Sequence, residues 1–155
     1  MHLRLDDLTS PQIILLLREH LQGVALHSPA ESIHALDIDA LRQPEITVWS
    51  VWQHDELMGC AALRQLDAGH GEIKSMRTAT NHLRKGVAAM LLQHIIGEAA
   101  RRRYRRLSLE TGSMAAFEPA HRLYARFDFT PCGPFAGYIE DPNSLFMTRD
   151  VPQHH

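Results

Sequence analysis

The stretch Gly71 to Ile96, GEIKSMRTATNHLRKGVAAMLLQHII, holds the residue types and spacing best suited to chemistry. A strand-like segment runs through a basic, glycine-containing turn into an apolar helix. A helix starting near Leu83 or Arg84 leaves its first backbone N–H groups without carbonyl partners at the positive end of the helix dipole, which makes that end an anion site. Gly86 and Ala88, flanking Val87, have almost no side chain and let a phosphate approach the backbone, while Arg84 and Lys85 add positive charge at the rim. The turn has neither the Gly-Lys-Ser/Thr of a P-loop nor the GxGxxG of a dinucleotide fingerprint. An ordinary helix start with two solvated basic residues satisfies the same local pattern.

Other candidates are weaker. Glu110 ends the segment RLSLET, where it suits either a cationic amine or a helix-cap and ion-pair role. Glu118, Glu140 and Asp141 fall in nearby predicted loops, so a cationic acceptor matches these acids. The run RRRYRR (101–106) contains an aromatic residue, as some nucleic-acid sites do, but it sits where a helix ends and its cations complement the dipole there. His20, His27 and His34 are seven apart, but Ser28-Pro29 breaks any helix between the last two, so they read as no metal site. Trp49, Trp52, Phe127 and Phe129 read as core.

These residues need a scaffold, and 155 residues suffice for one domain with a single substantial core, here expected over 1–151 with 152–155 as a tail. With 16 basic and 18 acidic residues the net charge is −2, so no general affinity for nucleic acid is expected. Cys60 and Cys132 lie far apart in apolar contexts, as reduced thiols of a cytoplasmic protein would. No apolar run approaches the roughly 20 residues of a membrane helix.

In chain order, His2 to Leu8 reads as a strand. Ser10-Pro11 starts a helix whose apolar residues 13, 14, 17, 21, 24 and 25 share one face. A short helix is expected over Ala30 to Leu41. ITVWSVW (46–52) and LMGCAALRQL (57–66) form a hairpin, and GEIKSMRT adds a third strand. A helix follows from about Arg84 to Arg103, with Val87, Leu91, Ile95 and Ala99 on one stripe. RLSLET (106–111) then lies parallel to the strand at 71–78, because a crossover helix joins them. PAHRLYARF (119–127) is a helix, and DFTPCGPF and SLFMTRDV are two last strands.

In this order, the pieces GEIKSMRT, HLRKGVAAMLL, RRRYRRLSLET and AHRLYARFDF resemble the GCN5-related N-acetyltransferases over nearly the whole chain. PFAGYIEDPNSLFM resembles a small bacterial subfamily of these enzymes. The resemblance implies an α/β (α+β) fold with a mixed central sheet of six to seven strands and about four helices. It implies transfer of an acetyl group from acetyl-CoA, without metal, to a primary amine of a small molecule or peptide, by direct attack in a ternary complex. On it, Arg84, Lys85, Gly86, Val87 and Ala88 seat the pyrophosphate, while Met76, Arg77 and Thr78 bind the pantetheine and polarise the thioester carbonyl. Glu72 matches the position of a general base, and Tyr124 that of the acid for the departing sulfur. Glu110, Phe117 and Tyr138 are placed at the acceptor. Two positions depart from the family pattern: Leu83, where Gln or Arg is usual, and Phe117, where Asn is frequent. They leave a non-catalytic acyl-CoA-binding or sensing module as the alternative. A homodimer is open, and neither nucleic acid nor membrane is an expected partner.

Overall fold

The computed structural model describes residues 1–27 and 37–153, with the side chains of 24–27 excepted. Seven strands, β1 (His2–Leu5), β2 (Ile46–Gln53), β3 (Glu56–Asp67), β4 (His70–Thr78), β5 (Arg106–Gly112), β6 (Thr130–Cys132) and β7 (Ser144–Asp150), form one sheet in the order β1-β2-β3-β4-β5-β7-β6. The helices are α1 (Pro11–His27), α2 (Ile38–Leu41), α3 (Val87–Arg101) and α4 (Glu118–Arg126). Among the described residues this is the expected mixed sheet with four helices. Of the short helix expected from Ala30, only Ile38–Leu41 lies within the described residues.

Local chemistry accounts for the element boundaries. The Ile13 N–H donates to Ser10 Oγ (3.2 Å), so the hydroxyl caps α1 as its position before Pro11 implies. Neighbouring strands are antiparallel except β4 and β5, which α3 joins and which run parallel. Strand alternation sends Ile73, Leu107 and Leu109 to one face, where they meet Val87, Leu91, Leu92, Ile95 and Ala99 of α3 and Tyr124 of α4. On the other face of β2 and β3, Val48, Trp52, Leu57 and Cys60 pack with Ile13, Leu16 and Leu17 of α1. Tyr104, inside the arginine run, belongs to the core. Arg101 and Arg102 both pair with Glu98 and Arg106 with Asp150, so three of the run's cations already have a carboxylate.

Helix α3 begins at Val87, three residues later than the expected start. Thr80–His82 instead make a single 3-10 turn, Leu83 is extended (φ −61°, ψ 148°), and Arg84 and Gly86 take positive φ of 65° and 84°. The basic turn is therefore an irregular connection, and the helix proper starts only after the glycine.

The sheet divides where the site forms. Pairing of β4 with β5 runs from His70↔Arg106 to Ile73↔Leu109 and stops there. Yet β4 continues beside β3 to Thr78, and β5 beside β7 to Gly112. The parting coincides with a bulge in β4, because Lys74 and Arg77 pair with Ala62 and Cys60, leaving Ser75 and Met76 opposite Ala61. Ser75 has φ 53°. A bulge bends its strand and strengthens its twist, which turns the end of β4 away from β5.

Candidate active site

The N-terminus of α3 lies at the far end of β4, beside this parting. No side chain caps α3, and its first intrahelical bond is Met90 N–H to the Gly86 carbonyl (3.0 Å). The N–H groups of Val87, Ala88 and Ala89 precede that bond and have no helical acceptor. Nothing lies within 4 Å of the place a Gly86 Cβ would occupy, so it is the left-handed φ and not crowding that suits glycine there. Arg84 is exposed. Lys85 is held: its Nζ is 3.0 Å from His82 Nδ1, and His82 Nε2 lies 3.0 Å from Glu56 Oε1. His82 and then Asn81 beside Glu56 keep that carboxyl below its ordinary pKa. Sequence reasoning missed this chain, which crosses from β3 to the turn and has no local pattern.

A second polar cluster forms on the face of β4 opposite Ile73. Glu72 and Lys74, two apart, share that face, and both are buried. Tyr138, from the loop between β6 and β7, donates its hydroxyl to Glu72 Oε2 (2.7 Å), and Lys74 Nζ donates to the same hydroxyl oxygen (2.8 Å). Lys74 Nζ is also 3.3 Å from Glu72 Oε2, and Arg64 lies 3.8 Å from Oε1. Glu72 is only 1% exposed, so it is a buried strand residue rather than a solvated one, paired with Lys74 and Arg64. Its Oε1 accepts no hydrogen bond. Burial, with the Glu72 charge second, pushes the Tyr138 phenol well above the ordinary tyrosine range. Its ring meets Phe135 and Phe146. Next to this cluster, His70 Nε2 is 2.7 Å from Ser108 Oγ, which is 2.9 Å from Thr148 Oγ1. Sequence reasoning did not single out these three.

The remaining predicted residues surround the end of β5. Glu110 Oε2 accepts a hydrogen bond from Ser144 Oγ (2.7 Å). The Phe117 ring lies over Gly112 so closely that any Cβ there would be 2.3 Å from a ring carbon. Tyr124 has its ring in the core, edge-on to Phe129 (5.9 Å). Burial raises its phenol to about 12. Its hydroxyl makes no hydrogen bond among the described residues. Met76 packs on the core, and Arg77 and Thr78 are half-buried.

The arrangement is thus a parting between two parallel strands that ends at an uncapped helix N-terminus, with a buried acid–tyrosine–lysine cluster on one face. The family model for the acetyltransferase (GNAT) family matches residues 12–129. The chain belongs to that family. It is an acyltransferase, as the motif order implies. It is 63% identical to the uncharacterized N-acetyltransferase YsnE of Bacillus subtilis, over 97% of this chain and 100% of that protein. It is 49% identical to the uncharacterized N-acetyltransferase YedL of Escherichia coli, covering 99% and 96%. Its fold is similar to that of a GNAT family acetyltransferase from Elizabethkingia anophelis with acetyl-CoA bound (TM-score 0.71, 19% identity, 97% of each chain).

Proposed function

We propose that this acyltransferase moves the acetyl group of acetyl-CoA to a primary amine of a small molecule or peptide, by direct attack in a ternary complex. The observation that carries this reading is the alignment of the β4–β5 parting with the uncapped start of α3. The amides of Val87, Ala88 and Ala89, at the positive helix end, suit a pyrophosphate, with Arg84 at the rim. The divided edges of Met76–Thr78 and Glu110–Gly112 suit an extended amide-containing arm. The chemistry needed from the protein is a base for the amine, a donor for the carbonyl oxygen as it gains charge, and an acid for the sulfur.

Glu72 is the base, acting through Tyr138. The Tyr138 oxygen accepts a hydrogen bond from Lys74 and directs its own proton at Glu72 Oε2, so a proton taken up from the amine at that oxygen is matched by one passed to Glu72. Its raised pKa keeps Tyr138 protonated and able to pass a proton on. The Met76 N–H, in the bulge, is the donor to the carbonyl oxygen. Tyr124, protonated through neutral pH and without another partner for its hydroxyl among the described residues, gives its proton to the sulfur. Glu110 and Phe117 line the acceptor side.

A thiol-release assay with acetyl-CoA over a panel of primary amines tests the reading. Amine-dependent release with formation of the N-acetyl product is expected. Acetyl-CoA binding with no release on any amine would instead support the non-catalytic acyl-CoA-binding module.

A further inference from the structure

Among the described residues the buried atoms His20 Nδ1 and Arg77 Nε lack a hydrogen-bond partner, and both lie where α1 meets the end of β4. The guanidinium of Arg77 lies against α1, with Nη1 3.2 Å from the place a Gly23 Cβ would occupy. His20 precedes Gly23 by three residues and so shares its helix face. Arg77 pairs in register with Cys60, on the α1 face of the sheet. No carboxylate among the described residues bonds to Arg77. The nearby Lys74 is already held by Glu72 and Tyr138. Burial, then the charges of Arg77 and Lys74, lower His20 to about 4. The ring is therefore neutral at pH 7 and adds no charge of its own.

Buried polar atoms are rarely left without partners, because each one costs about 1–3 kcal/mol. A guanidinium presents paired N–H donors that match a carboxylate, and the neutral His20 ring adds a donor of suitable chemistry. We infer that the seam between α1 and the end of β4 binds a carboxylate carried by the amine acceptor, with the Arg77 side chain as its principal contact. The inference rests on the acetyl-transfer reading and deepens it by naming the acceptor class. Across the bulge Lys74 and Arg77 face Ala62 and Cys60, two positions apart on β3, or about 7 Å along the sheet. The amine and the carboxylate of the acceptor are therefore several bonds apart. The acids at the amine end and the arginine at the other match the two ends of one zwitterion.

The test is calorimetric titration of the full chain, saturated with CoA, with matched ligands: straight-chain amino acids of increasing amine–carboxylate separation and the n-alkylamines of equal length. The carboxylated member of at least one pair should bind about tenfold tighter or more, and Arg77→Gln should abolish that advantage, with CoA titrated in parallel. His20→Phe, a smaller perturbation that keeps an aromatic ring, should reduce it in part. Equal binding of acids and amines, no binding of any acid, or an advantage that survives Arg77→Gln overturns the inference. So does loss of CoA affinity in Arg77→Gln, which would assign the side chain to the cosubstrate. Turnover is read separately with acetyl-CoA. Carboxylate-dependent binding without turnover would fail the transfer reading alone.

Discussion

Tyr124 combines a ring fixed in the core with a hydroxyl that no described residue occupies, and this combination makes its role separable from its packing. Tyr124→Phe keeps the ring and its contact with Phe129. It should lower kcat about 100-fold or more, the range for removal of a general acid, with KM for acetyl-CoA unchanged. Steady-state kinetics over both substrates decides this, and unchanged kcat would remove Tyr124 from the chemistry. The same burial has a consequence for pH. The phenol rises from 10 to about 12 and the Cys60 thiol from 9 to about 12, because both are buried. Groups whose folded pKa is raised contribute stability that is complete below their unfolded values and is lost as pH climbs through the folded ones. Denaturant melts should therefore show stability falling from pH 9 to 12, and less steeply in Cys60→Ala. An identical slope in that variant would contradict the account of Cys60.

Among the elements, the turn before α3 matters most. Gly86 has open space around it, so replacing it by alanine meets no clash and tests backbone conformation alone. Gly86→Ala should cost about 1 kcal/mol of stability, from the left-handed φ, and should weaken CoA binding by shifting the amides that follow. Calorimetric CoA titration beside a melting curve reads both effects, and loss of stability with unchanged CoA affinity would contradict the turn's role. Much of this element was legible in the sequence: the apolar stripe of α3, the small residues at its start and the crossover to β5. The start itself was misplaced to Leu83 or Arg84. Hydrophobic periodicity identifies a helix well, but it does not register that Arg84 and Gly86 turn left-handed and hold the chain off the helix until Val87. Nor did a local pattern reveal the bulge at Ser75 and Met76, which depends on β3 and on where β5 stops pairing.

For the molecule as a whole, the order of strands and helices could be read from alternation, turns and the family resemblance, because each is written locally. The site could be read only in part. Strand alternation puts Lys74 on the face of Glu72, but no local pattern brings in the Tyr138 hydroxyl, which arrives from 66 residues away. The unpartnered atoms of His20 and Arg77 were equally hidden, since each belongs to a pattern that by itself reads as an ordinary helix or strand. All these features converge on one place, where the sheet divides and α3 begins, and the account stands on CoA lying there. The most direct test is a crystal structure of the protein with CoA. It should show pyrophosphate oxygens at hydrogen-bond distance, about 2.9 Å, from the N–H groups of Val87 to Ala89, and the pantetheine between Met76–Thr78 and Glu110–Gly112. CoA bound elsewhere, with those amides facing only water, would contradict it.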